Sequence, residues 1–113
     1  MIARRSWRPV LALSLALAAP LPALAQQPST DPYYDFLLGQ RLESEGDEKG
    51  ALAALERAAA AAPTSAHIRA EIASLYMGLN QPAAAEKAAL AALALDEDST
   101  EAHQVLGMLM SAS

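Results

Sequence analysis

Residues 31–63, DPYYDFLLGQRLESEGDEKGALAALERAAAAAP, decide the fold. Asp31 followed by Pro32 opens a helix: the carboxylate accepts an orphan amide proton, and proline at the first position has no N–H to leave unsatisfied. Tyr34, Leu38 and Leu42 recur every fourth residue and are expected on one inward face. Gly46 ends that helix, since a residue without Cβ turns the chain cheaply. A second helix is expected from about Asp47 to Ala62, with Ala51, Leu55, Ala58 and Ala62 as its inner stripe. Its alanines favour helix and leave a thin face that a neighbour can approach closely. Pro63 stops it. The stretch predicts two helices folded back to back.

The plan restarts thirty-four residues later. Ser65 caps a third helix whose stripe is Ile68, Ile72, Leu75 and Leu79. Asn80, Gln81 and Pro82 mark a turn and a restart. A fourth, alanine-rich helix runs to about Leu95, Asp96-Glu97-Asp98 forms a solvated turn, and Ser99 opens a fifth helix. At this step Asp31, Ser65 and Ser99 fall in register as caps, as do Leu38, Ile72 and Leu106, then Leu42, Tyr76 and Met110, and the small residues Gly39, Ala73 and Gly107. In the second helices Ala51, Leu55 and Ala58 match Ala85, Ala89 and Ala92. A run of alanines can match itself by chance, but it does not also place caps, glycines and large aliphatics at one period. Two helices per fixed repeat predict an all-α solenoid of about two and a half units: 31–64, 65–98 and a half unit, 99–113, that is either the first helix of a third repeat or a cap.

The first 25 residues read differently. Arg4, Arg5 and Arg8 precede an apolar run, Val10 to Ala19, which Pro20 and Pro22 interrupt before Ala23-Leu24-Ala25. This is the pattern of a secretory signal peptide cut between Ala25 and Gln26, with 26–30 as a flexible tether. The apolar run is shorter than the roughly 20 residues a membrane span needs. Arg4-Arg5 matches the twin-arginine signal poorly in its surroundings. The leader holds three of the eight basic residues and none of the thirteen acidic ones, so residues 26–113 carry a net charge of −8. That surface repels phosphate backbones and anionic lipid heads, so neither nucleic acid nor a membrane is expected as a partner after cleavage. With no cysteine in the chain, disulfides, thiol chemistry and lipoprotein anchoring are all excluded.

These residues resemble the tetratricopeptide repeat family. Leu38, Gly39 and Leu42 resemble its large-small-large pattern in the first helix. Gly46 resembles its turn glycine, Ala51, Leu55 and Ala58 its small-large-small trio, and Pro63 its closing proline. The second copy is looser, with Ile72, Ala73, Tyr76, Ala85 and Ala92 fitting, Ala89 for a larger residue, Asn80 for glycine and Glu97 for proline. Asp35 and Arg69 stand where the family often has an aromatic. The resemblance implies a right-handed superhelix whose first helices line a concave groove. The implied groove residues are Tyr33, Phe36, Gln40 and Glu43 in the first unit. In the second they are His67, Ala70, Ser74 and Met77, and in the third Glu101, Gln104 and Met108. Such a lining suits a protein or peptide partner with apolar anchors. Tyr33 and Phe36 have a second reading, in which they pack under the tether and shield the first helix. One sub-class of the family grips a C-terminal carboxylate with basic and amide side chains. Here those places hold Phe36, Gln40 and Glu101, so that clamp is not expected.

The fifth helix, with Val105, Leu106, Gly107, Met108, Leu109 and Met110, is apolar around most of its circumference. Either the chain is the first part of a longer array or this helix buries its outer side in a partner, including a second copy of itself. His67 and His103 are thirty-six residues apart, off the repeat, and are expected as surface or groove residues because cysteine and carboxylate partners at ligand spacing are wanting. An EF-hand loop counted from Asp96 needs glycine where Glu101 stands and glutamate where Gly107 stands. With no phosphate-binding glycine loop and no nucleophile beside a base, the expected protein is not an enzyme and takes no cofactor or metal. It is an exported interaction scaffold, periplasmic or secreted, with self-association or the N-terminal region of a longer enzyme as the alternatives.

Overall fold

The computed structural model describes residues 31–113, and every regular element among them is an α-helix: α1 (Pro32–Ser44), α2 (Glu48–Ala61), α3 (Ala66–Gly78), α4 (Pro82–Leu95) and α5 (Thr100–Ala112). The expected signal peptide, 1–25, and tether, 26–30, lie outside the described residues. α1 pairs with α2 and α3 with α4 as antiparallel hairpins; α2 also packs on α3, and α5 packs on both α3 and α4.

Local chemistry sets the helix ends. Asp31 accepts from the Tyr33 amide at 3.0 Å, Ser65 from the Ile68 amide at 3.3 Å and Ser99 from the Ala102 amide at 3.3 Å, so the three caps expected in register all act as caps. Asp47 is itself a cap, accepting from Gly50 N–H at 2.9 Å, which puts the start of α2 one residue later than the sequence pattern implied. Both hairpin turns close by the same two bonds. Gly46 donates to the Glu43 carbonyl and Asp47 to that of Leu42; one repeat on, Asn80 donates to Met77 and Gln81 to Tyr76. This is the Schellman arrangement, which requires a left-handed residue after the helix. Gly46 has φ 86° and Asn80 φ 60°, and asparagine tolerates that region better than most side chains. Asn80 therefore does the work of the missing glycine.

The core is two connected clusters. Leu55, Ile68, Ile72 and Leu75 fill the first with Ala51, Ala58 and Ala59. The second is made almost wholly of alanine, Ala70, Ala73, Ala85, Ala89, Ala92 and Ala102, with Val105, and Tyr76 and Ala88 touch both clusters. The stripe expected on α1 is rotated. Tyr34 is 56% exposed, Leu38 and Leu42 are half-buried, and the buried residues of α1 are Asp35 and Gly39. The cause is visible on α2: Leu55 reaches α1 at Gly39, so the glycine side of α1, not its tyrosine side, faces in. Leu79, expected in the α3 stripe, is the half-buried cap of that helix. Asp35 is 2% exposed and is held by Arg57 of α2, Nε to Oδ1 at 3.2 Å. An ion pair thus replaces the aromatic that the resemblance implies at this position.

Two glycines in the same register meet opposite surroundings. A Cβ on Gly39 would lie 2.8 Å from Leu55 Cγ, and Leu55 is fully buried and has nowhere to go. A Cβ on Gly107 would meet nothing within 4 Å. Gly39→Ala is expected to destabilise the chain by about 1–3 kcal/mol through overpacking. Gly107→Ala is expected to stabilise it by about 0.5–1 kcal/mol through helix propensity. Urea unfolding of the two variants beside wild type checks the pair of signs.

Candidate functional site

The three first helices, α1, α3 and α5, do not stand at equal spacing. α3 and α5 pack together, while α1 and α3 approach each other much less. The repeat register gives the reason. Ala70 on α3 and Ala102 on α5 are fully buried, and small side chains let those helices close. One unit earlier the same two positions hold Phe36 and Ile68, whose bulk props α1 away from α3. The wedge leaves a cleft of about 270 Å³ lined by Pro32, Tyr33 and Phe36 of α1 and by Ser65, His67 and Ile68 at the start of α3. The Phe36 and His67 rings stand 5.5 Å apart at an interplanar angle of 52° along its wall, a tilted contact within the favourable range for stacked rings. Tyr33 is 68% exposed at the mouth.

Beyond this slot lies a polar centre shared by all three helices. His67 faces two carboxylates at once: Nε2 is 3.2 Å from Glu71 Oε1 and Nδ1 is 2.9 Å from Glu101 Oε2. Gln40 of α1 donates from Nε2 to the same Glu71 oxygen at 3.3 Å. The other Glu71 oxygen, Oε2, is buried without a hydrogen-bond partner. Burial raises the Glu71 carboxyl above its ordinary value of 4.5, with smaller contributions in the same direction from Glu101 and Glu43; His67 and the Gln40 hydrogen bond pull the other way. An ionised carboxylate there is incompletely solvated and incompletely paired, so the centre is suited to a cationic group.

Of the residues expected to line the groove, the structure brings Tyr33, Phe36, Gln40, His67 and Glu101 together around this slot and centre. Glu43 lies close enough to act on Glu71 electrostatically. Ser74, Gln104 and Met108 are exposed, whereas Met77 is half-buried against the alanine cluster. Ala70 corrects the expectation, because it is fully buried in the α3–α5 contact and lines nothing. His67 corrects another: the carboxylate partners thought wanting are present. Glu71 is not among the expected groove residues, yet it follows His67 by four residues, the spacing that places two side chains on one helical face and could have found it. Glu101 follows His67 by one full repeat, a relation readable only once adjacent first helices are taken as neighbours. His103, by contrast, is tied to a backbone oxygen, Nε2 to Glu97 O at 2.8 Å. On α5, Met108 and Met110 are 51% and 76% exposed, and the flank at Gly107 is open.

Hairpins stacked in register, with their first helices presenting a slot and a polar centre, define a repeat-built scaffold. The Tetratricopeptide repeat family model matches residues 42–109, and the chain belongs to that family. A comparison with curated proteins finds no match. Repeats of this family generally mediate protein–protein interaction.

The raised Glu71 carboxyl carries a stability signature. A carboxyl whose folded value exceeds its unfolded value binds more protons when folded, so stability falls as pH rises above about 4.5 and levels off once the folded carboxyl has ionised too. Glu71→Gln removes this component. Wild type is expected to lose stability relative to the variant between that pH and neutrality. Urea midpoints across the range check it, and a difference that grows in wild type's favour contradicts it.

Proposed function

We propose that this chain is an exported scaffold that holds a peptide segment or helix of a protein partner on its first-helix face, in an envelope compartment or outside the cell. The observation that carries the reading is the propped-open junction between α1 and α3. A stacked array closes such a junction with small residues, as it does at Ala70 and Ala102; here Phe36 and Ile68 hold it open and give it apolar walls. An apolar side chain of the partner fits the slot, and the acidic surroundings, Glu43, Glu71 and Glu101, disfavour an anionic segment. Binding then rests on shape and apolar burial in a preformed site, with little ordering cost for the scaffold. Among the described residues no helix is long and apolar enough to cross a membrane. Export rests on the first 25 residues: the basic start, the short apolar run and the small residues at the cut.

Pull-down from envelope extract compares wild type with Tyr33→Ala/Phe36→Ala, using Leu90→Ala on the exposed face of α4 as control. The double variant is expected to release the captured protein while the control keeps it, and equal capture by all three moves the binding surface off this face. Intact mass of the protein recovered from the envelope or medium checks export. It is expected to begin at Gln26, and a chain that keeps its first 25 residues contradicts the cleaved leader.

A further inference from the structure

We propose that His67, Glu71 and Glu101 form a binding site for one divalent transition-metal ion, of the Zn2+ class, that clips the second and third units together on the first-helix face. Each side chain offers one ligand atom, and the three atoms lie within 4.8 Å of one another. Zinc bound at about 2.0–2.1 Å by nitrogen and oxygen ligands spaces them by about 3.3 Å in a tetrahedron. The site therefore closes by side-chain rotations of the order of an ångström. His67 and Glu101 are exposed enough to make that movement.

Four further features distinguish this cluster from a chance meeting of surface charges. Glu71 Oε2 is buried with no hydrogen-bond partner, so the Glu71 carboxylate is short of compensation for its charge, and a cation in the cluster supplies it. Gln40 already holds the other oxygen of the same carboxylate, the kind of outer hydrogen bond that fixes a ligating group in place. The Phe36 ring against His67 provides an apolar wall on one side, which limits competing water. The charge also balances: a neutral imidazole and two carboxylates neutralise one divalent ion. Imidazole with carboxylates selects zinc or a late first-row metal over magnesium or calcium, which prefer all-oxygen shells. Three protein ligands leave one position of the tetrahedron to water or to a donor from a partner seated in the adjoining slot. His103, bound to Glu97 O on the far side of α5's first turn, takes no part.

Without a metal, the same cluster is the His67 ring held between two carboxylates, and the two readings separate experimentally. Titration calorimetry of the full-length protein with ZnCl2 is expected to show saturable binding of one ion, with a concentration-dependent rise in melting temperature that MgCl2 does not reproduce. His67→Ala and Glu101→Gln should each weaken zinc by more than about tenfold, Gln40→Ala by about tenfold, and His103→Ala should leave it unchanged. Circular dichroism confirms that the variants remain helical. Zinc binding that is absent, unsaturable, or equally strong in the His67 and Glu101 variants overturns the site and leaves the metal-free contacts of His67 with Glu71 and Glu101 as the account of the cluster. Either result leaves the partner slot to be judged by its own pull-down.

Discussion

Helices in this protein approach one another across almost no side chain, and the rest of the structure depends on that closeness. Gly39 lies under Leu55 with less room than a methyl group needs, and Ala51, Ala54, Ala58, Ala70, Ala73, Ala85, Ala89, Ala92 and Ala102 are all fully buried. Such contacts bury little area per residue, so stabilisation comes from many short-range dispersion contacts spread along the helix faces. They also make spacing very sensitive to side-chain volume. Where two alanines meet, first helices touch; where Phe36 and Ile68 take the same positions, they part. The slot is thus a packing consequence that needs no separate architectural device.

Much of this was legible in the sequence because it is periodic. Caps, turn residues and the alanine stripes repeat at one interval, and each has a local physical cause that needs no partner to be known. Even Asn80, off the family pattern, could be assigned to its turn, since few other side chains accept a left-handed backbone. What periodicity could not supply was rotation. A four-residue stripe of Tyr34, Leu38 and Leu42 looks like a buried face, yet Asp35 and Gly39 form an equally good stripe one residue over. Only the reach of Leu55 from the second helix chooses between them. The burial of Asp35 was likewise hidden, because its partner Arg57 lies on another helix at a spacing no local rule marks.

The polar centre was half legible. Gln40, His67 and Glu101 follow from asking which face of each first helix is shared, and the structure joins them. Glu71 was not legible from the repeat interval, since its relation to His67, four residues on, lies within one helix. The result is a face with two chemistries side by side, an apolar cleft at the α1–α3 junction and a histidine–carboxylate centre spanning α1, α3 and α5. A scaffold of this size therefore offers two different kinds of contact within a short distance.

The pairing of buried Asp35 with the solvent-exposed Arg57 bears on how the chain avoids misfolding. α2 and α4 share small residues at matching places, Ala51 and Ala58 against Ala85 and Ala92, although Leu55 of α2 answers to Ala89 on α4. At the place equivalent to Arg57, however, α4 has Ala91. If α1 docked on the wrong hairpin partner, Asp35 would enter the interior as a lone anion, a loss of several kcal/mol by the usual cost of an uncompensated buried charge. One carboxylate thus biases α1 towards α2, which carries its cation where α4 has only a methyl group.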